Sequence, residues 1–403
     1  MLRDTRLLVD LDAIAHNIGR LVAFLDATAP AGTRRPRLAC VLKADAYGLG
    51  ARRVAGLLVE SGIDLLAVAC LTEAVELRRR FGETDIFVMG HVPTAQFGAV
   101  VENRIIATVF DESQAAALSE AARDSGTRAR IHIKVDSGMN RLGIKTGPGA
   151  AAQVARIASF PGLAVEGIFT HLALENETSD RLQFSRFTSL LDEAETLGCA
   201  VGSRHVCDSI GLARYPEFRL DLVRPGAILF GVPPQNSPLL EGWDFRLPLS
   251  FRSRITRLRR LVAGEGVGYD CTWKAPEGGA LVATVCAGYG DGYPRSLSNL
   301  GEVLVRGSKA PVIGLVCMDQ LNLDLSSIPG AAEGDEVVLF GSAGDGGLDS
   351  GIPLLETSRK AATNRNELLA SISRRVPRVY RRAGASAGHV DYVLGEETYG
   401  DRI

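Results

Sequence analysis

The feature that most constrains this chain is a repeat in its hydrophobic pattern. From residue 38 onward a short apolar, β-branched run, a turn and a stretch of helical periodicity recur. The strand-like runs are "LACVLKA" (38–44), "LLAVACL" (65–71), "DIFVMG" (85–90) and "IIATVF" (105–110). They continue with "RIHIKVD" (130–136), "AVEGIFTH" (164–171), "SRHVCD" (203–208) and "LVRPGAILFG" (222–231). Stretches such as "ARRVAGLLVES" and "SDRLQFSRFTSLLDEAETLG" lie between them with helical spacing. Eight strands, each but the last followed by a helix, over about 200 residues predict an α/β fold of the (β/α)8 barrel type. A doubly wound sheet is the rival, but it usually has fewer strands. The leading segment "LVDLDAIAHNIGRLVAFLDA" supplies a helix that completes the ring.

After residue 244 the helices vanish. "LSFRSRITRLRRLVAG", "EGVGYDCTW", "GALVATVCAGYG", "EVLVRG" and "DEVVLFG" are separated by Gly, Pro, Asp and Asn turns, which predicts a mostly-β second domain. The organisation expected is a barrel over 1–244, a C-terminal β domain over 245–383 with one late helix near 355–375, and a tail over 384–403. The tail, rich in Gly and acids, reads as partly disordered.

Bulk properties exclude several functions. A net charge of −2 gives no reason to expect nucleic acid or an anionic membrane as partner. No apolar run is long enough to span a bilayer, and the N-terminus has no signal-peptide core, so a cytoplasmic location is expected. The seven cysteines form no C-x-x-C pair and sit mostly in apolar runs; they read as buried thiols of a reducing compartment. The six histidines show no metal-ligand spacing, so no metal is expected.

In a barrel of this type the reactive side chains stand at the C-terminal ends of the strands. Those ends carry Lys43, Lys134 with Asp136, His171, Asp208 with Ser209, and Arg224 followed by Gly226. A scaffold does not need two lysines, an arginine, a histidine and a hydroxyl on one rim. Lys43, in "VLKADAYGLG", is a candidate Schiff-base lysine, since desolvation and neighbouring cations make an amine nucleophilic at neutral pH. A surface lysine paired with Asp45 is the plainer alternative. "GLGARR" partly mimics a dinucleotide fingerprint, but the third glycine is missing and that motif gives Lys43 no role.

The motif "VLKADAYGLG" resembles the cofactor-lysine motif of the alanine racemases, which are pyridoxal 5'-phosphate enzymes built as a barrel plus a β domain. "KVDSGMNRLGI" (134–144), "EGIFTHLA" (166–173), "DLVRPGAILFG" (221–231), "VGYDCTW" (267–273), "GYGDGYPR" (288–295) and "CMDQ" (317–320) resemble motifs of the same family in the same order. The resemblance implies an amino-acid racemase, interconverting L- and D-alanine, that works as a homodimer with shared active sites. It implies that Lys43 holds the cofactor and is one catalytic base. Tyr269, reaching into the partner subunit's site, is the other. Tyr47, Ser209 and the backbone at Gly226 and Ala227 would hold the phosphate, Arg224 would face the pyridine nitrogen, and His171 would support that network. Arg141 would orient the substrate carboxylate, and Lys134 matches a lysine often carbamylated. Met318 and Asp319 would approach the substrate from the partner, and Tyr293 would narrow the entrance.

One departure stands out. Where the family usually places a tyrosine beside the phosphate, this chain has Asn366, as the membrane-linked serine racemases do. A roomier pocket follows from that exchange, and with it the alternative of a serine or broad-specificity racemase. Asp208 and Asn176 also depart from the usual residues. A more distant alternative, a basic amino-acid decarboxylase of the same architecture, conflicts with Arg224, because that group places a glutamate near the pyridine nitrogen.

Overall fold

The computed structural model describes residues 2–29, 32, 34–232, 244–344 and 351–399. Among these, the strands in chain order are β1 (Arg6–Asp10), β2 (Arg37–Val41), β3 (Leu65–Val68), β4 (Asp85–Val88), β5 (Ile106–Val109) and β6 (Ala129–Asp136). Then come the two-residue β7 (Ile144–Lys145), β8 (Leu163–Phe169), β9 (Ser203–His205), β10 (Leu222–Val223) and the long β11 (Leu249–Leu261). Strands β2, β3, β4, β5, β6, β8, β9 and β10 pair in parallel, each with the next, and β10 pairs back to β2. The sheet therefore closes, and the (β/α)8 expectation holds. All four residues of β3 and of β5 are buried, as a strand covered by helices outside and by barrel core inside requires.

The second unit is a closed antiparallel ring. Strand β11 pairs with Ala280–Val285, which pairs with Leu321–Asp324. Pairing continues through Ser308–Ile313, Glu302–Val305 and Glu336–Ser342, and the last returns to β11. Closure removes the free edges that a small sheet would otherwise expose.

Three expectations change. The N-terminal residues do not belong wholly to the barrel: β1 lies antiparallel to β11 and parallel to Arg378–Arg382, inside the second sheet. Asp10 ends that strand and caps the helix Leu11–Ala27 by accepting the Ala13 amide at 3.0 Å. So the chain starts in one unit and passes directly into the other. The tail is not disordered over its described length. Ala385–Asp391 and Glu396–Tyr399 extend the same sheet as antiparallel strands, while 400–403 lie outside the described residues. The single late helix is two, Leu354–Lys360 and Arg365–Ala370, because Ala362 turns left-handed between them and Asn364 caps the second.

Cysteines also differ from expectation. Cys40 and Cys207 are buried, but Cys70, just past β3, and Cys271, in a turn of the second unit, are exposed. Among the described residues no helix is long and apolar enough to cross a membrane, and no three His, Cys, Asp or Glu side chains cluster as a metal site would require.

The barrel interior contains an aromatic layer with two histidines. His205 stacks on Phe169 with ring centroids 4.8 Å apart, and His132 packs on Phe87 at 4.5 Å. Between the histidines, His132 Nδ1 and His205 Nε2 are 2.9 Å apart. Burial, and then the charge of Arg224, push His132 down to about 3 and His205 well below its usual range. Both are neutral in the folded chain at neutral pH. An unfolded histidine takes up its proton near about 6.5. Between about 6.5 and 3 the unfolded chain therefore binds more protons, and stability falls as the pH is lowered through that window. Thermal unfolding across this range should show a shallower decline for His132→Gln than for the native chain. Equal slopes would contradict the assignment of a neutral His132.

Candidate active site

The end of β2 does not run into an ordinary turn. Ala44, Asp45, Ala46 and Tyr47 follow Lys43 with φ of 53°, 57°, 53° and 55°, one turn of left-handed helix with no glycine in it. Such a conformation costs roughly 1–2 kcal/mol per residue, so it persists only where its surroundings over-determine it. They do. Ala44 N donates to Glu73 at 2.7 Å, and Ala51 N donates to Asp45 Oδ1 at 2.7 Å. From the second unit, Tyr380 Oη donates to Leu49 O and Arg378 Nε to Gly48 O, both at 2.9 Å. Arg378 is fully buried and also binds the carbonyls of Ile372, Ser373 and Val376.

This turn opens on a cavity of about 630 Å³ at the C-terminal ends of the barrel strands. The cavity brings together Lys43, Tyr47, Lys134, Arg141, His171 and Arg224. Ser209, Gly226, Ala227 and Asn366 line it as well. Burial, and then the charge of Arg141, hold Lys43 below the ordinary lysine range, against the opposing pull of Asp208 and Glu73. A larger fraction of free amine at neutral pH follows.

Arg224 is the most constrained cation. Its guanidinium donates to Val206 O at 2.7 Å, Thr170 O at 2.9 Å, His205 Nδ1 at 2.6 Å and His171 Nδ1 at 3.3 Å. Guanidinium can only donate. Both histidines must therefore accept at Nδ1 and carry their proton on Nε2, and His205 passes that proton toward His132. Burial, with Arg224 next, holds His171 down to about 2, and burial lowers Arg224 itself to about 10. At neutral pH the result is one fixed cation surrounded by neutral imidazoles.

Lys134, beside it, is pushed down to about 7 by burial and then by Arg224. Its Nζ donates to Val135 O at 2.5 Å and Leu142 O at 3.2 Å. The loop carrying Arg141 is folded back on β6 by the pairing of β7 with Val135 and Asp136. Asp136 Oδ1 ties it down by accepting the amides of Gly138 and Asn140 at 3.0 Å. Gly143, at φ +125°, is forced, because a Cβ there would lie 2.6 Å from backbone of β6.

At the other end of the cavity Tyr47, Ser209 and Gly226 form a tight corner. Gly226 N donates to Ser209 Oγ at 3.0 Å. A Cβ on Gly226 would lie 2.5 Å from Tyr47 Oη, so only glycine leaves room for the phenol. Burial raises Tyr47 to about 12 and keeps it a donor. Asp208 caps the short helix Ser209–Arg214 by accepting the amides of Ile210 and Gly211. Arg214, Arg365 and Met89 also line the space. Strand-end reasoning could have found Met89, one residue past β4. Nothing in the local sequence marked Arg214.

Four expected residues are not in this cavity. Tyr269 is 70% exposed in the second unit, followed by left-handed Asp270 and Cys271. Met318 is 52% exposed, and Asp319 pairs with Arg375 at 2.8 Å. Tyr293 must be corrected. It is fully buried in the second unit, packed so closely that a Cβ on Gly301 would lie 2.4 Å from its hydroxyl. It cannot line an entrance. Tyr289, in the same "GYGDGYPR" motif, is 42% exposed, and its amide donates to Cys317 O, next to Met318. The motif offers two tyrosines at equal distance from Asp291, which is buried and accepts the Gly288 amide, so alternation along the motif gives no means of telling them apart.

Comparison with known proteins agrees with this geometry. The model of the alanine racemase N-terminal domain matches residues 9–234, and that of the alanine racemase C-terminal domain matches 248–380. The alanine racemase of Desulfosudis oleivorans is 38% identical over 390 residues, covering 94% of this chain and 97% of the relative. That of Desulforamulus reducens is 36% identical over 375 residues, covering 92% and 97%. Among solved structures, the alanine racemase of Clostridium difficile 630 superposes with a TM-score of 0.89 at 29% identity, over 98% of this chain and 100% of that one. The Bacillus anthracis alanine racemase with bound L-Ala-P gives 0.87 at 29%, over 98% and 99%. The fold, the rim of strand-end side chains and these full-length matches lead to one conclusion: the chain belongs to the alanine racemase family of isomerases, which use pyridoxal phosphate.

Proposed function

We propose that this protein interconverts L- and D-alanine as a homodimer, with pyridoxal phosphate held at Lys43 and two bases acting on opposite faces of the substrate Cα. The observation that carries the reading is a division of residues. One cavity gathers Lys43 with the groups suited to the cofactor, while Tyr269, Met318 and Asp319 stand outside its lining on exposed backbone of the second unit. A two-fold dimer places the second set of one subunit over the cavity of the other.

The residues present fit the cofactor. The corner where only glycine is tolerated at 226 admits a close approach of ligand to backbone, flanked by the Tyr47 and Ser209 hydroxyls. Ala227 and Asn366 would complete that phosphate end, and Arg224 with His171 would meet the pyridine ring. Bound there, pyridoxal phosphate supplies the electron withdrawal that acidifies the Cα proton of an amino acid.

Arg224 decides how far that withdrawal goes. At neutral pH it donates a hydrogen bond and keeps its proton. Facing the ring, a guanidinium that keeps its proton would limit that withdrawal, which would favour reprotonation at Cα over loss of carbon dioxide. Arg141 orients the substrate carboxylate. Lys43 moves the proton on one face, and the partner subunit's Tyr269 moves it on the other. Lys134, neutral above about 7, presents the free amine, the form whose nitrogen attacks carbon dioxide and then releases a proton to solvent. The resulting carbamate would be an anion suited to Arg141. Seven free cysteines, two of them exposed, suit a reducing cytoplasm.

Three outcomes test this. Lys43→Ala, purified with pyridoxal phosphate, should lose the long-wavelength absorbance of the covalently held cofactor. Tyr269→Phe should keep that absorbance yet slow solvent-proton exchange at Cα from one enantiomer by about 10²–10⁴-fold, the usual worth of a general base. A mild, equal loss from both enantiomers would refute the two-base assignment. A second reading, activity on serine, is favoured by Asn366 on the cavity wall. Chiral chromatography should then show Asn366→Tyr losing serine turnover more than alanine turnover. Parallel losses would mean that Asn366 does not set the preference.

A further inference from the structure

We propose that Tyr392, in the C-terminal stretch beyond the family match, is a positioning residue that holds Lys43 in place through Asp45. The inference rests on the reading of Lys43 given above. Tyr392 Oη donates to Asp45 Oδ2 at 2.6 Å, while Asp45 Oδ1 accepts the Ala51 amide at 2.7 Å. The carboxylate is thus stretched between the next helix and the tail. Asp45 is the second of the four left-handed residues, with Lys43 before them and Tyr47 last.

The other clamps grip the turn at its ends. Glu73 holds the Ala44 amide, and Arg378 and Tyr380 hold the carbonyls of Gly48 and Leu49. Asp45 alone is gripped by its side chain in the middle of the turn, among the described residues. Tyr392 is itself well fixed. The guanidinium carbons of Arg374 and Arg378 each lie 5.3 Å from its ring centroid. Asp391, just before it, accepts the amides of Val393 and Leu394 at 3.1 Å. Left-handed residues without glycine relax toward ordinary φ when released. Release at Asp45 would move Lys43 Nζ and Tyr47 Oη relative to Arg224 and Ser209. Displacements near 1 Å in a reacting group cost large factors in rate.

The test uses the full chain and the variants Tyr392→Phe, Asp45→Asn and their combination. Hydrogen exchange is measured with and without pyridoxal phosphate, and kinetics are measured in both directions. Tyr392→Phe should speed exchange of the amides at 44–51 by about 10-fold, with distant segments unchanged. It should lower kcat by about 10-fold in both directions and leave KM nearly unchanged. The double variant should be no worse than the worse single, since Tyr392→Phe removes the bond that Asp45→Asn only weakens by replacing a charged acceptor with a neutral amide. Uniformly faster exchange with unchanged kcat would make Tyr392 a merely structural residue and overturn the proposal. Additive losses in the double variant would overturn it as well. If the native chain racemises nothing, the proposed function fails separately, and exchange at 44–51 still decides whether the clamp exists.

Discussion

The structure depends on one unfavourable piece of backbone. Four consecutive non-glycine residues at positive φ would not hold that conformation in isolation, and ordinary barrel loops do not need it. The turn aims two side chains, Lys43 and Tyr47, into the same cavity from positions four apart. A right-handed helix would also set residues four apart on one face, but it would leave β2 in a different direction. Much of the second unit's C-terminal portion can be understood as what keeps this turn in place. Buried Arg378 satisfies four carbonyls, one of them in the turn, and leaving any of them unpaired would cost about 1–3 kcal/mol.

The second constraint is electrostatic. Among the described residues six basic side chains line the cavity, Lys43, Lys134, Arg141, Arg214, Arg224 and Arg365, against one carboxylate, that of Asp208. Burial lowers the proton affinity of Lys43 and Lys134, and the imidazoles around Arg224 are neutral. Uncharged histidines let Arg224 keep its charge in a buried place, because they accept its hydrogen bonds without adding repulsion. Hydrogen bonding therefore fixes the tautomers outward from Arg224, and its proton affinity, still about 10, keeps it from serving as an acid at neutral pH. A dianionic cofactor and a carboxylate substrate complement what remains.

The barrel was legible in the sequence because its strands are apolar, short and separated by helical stretches, a pattern that period and punctuation reveal. The rim residues were legible because barrel function sits at strand ends, which located Lys43, Lys134, His171 and Arg224. What escaped is what depends on distant pairing. The "LVD" that opens the leading segment reads as the start of its helix, since nothing local says that β11 and Arg378–Arg382 will flank it. The tail looks polar and loose, yet its strands are closed by backbone bonds to a sheet whose edge they extend. Tyr293 failed for a similar reason: two tyrosines share one glycine-rich motif, and only packing against Gly301 shows which is core. The left-handed turn is invisible to propensity, because Ala, Asp, Ala and Tyr give no sign of positive φ.

The second unit must therefore do two things that pull in different directions. Toward its own barrel it is a clamp, with buried Arg378 and Tyr380 and half-buried Tyr392 set against the Lys43 turn. Away from it, Tyr269 and Met318 are presented on exposed, partly strained loops. A closed ring of six antiparallel strands suits both tasks, since every strand is paired on both sides and carries both faces on one sheet. If the two faces belong to two different active sites, a shift that loosened the clamp in one subunit would also misplace the base offered to the other. Closure of the ring and the length of β11, which joins ring, β1 and tail in one sheet, are then conditions of chemistry as much as of stability.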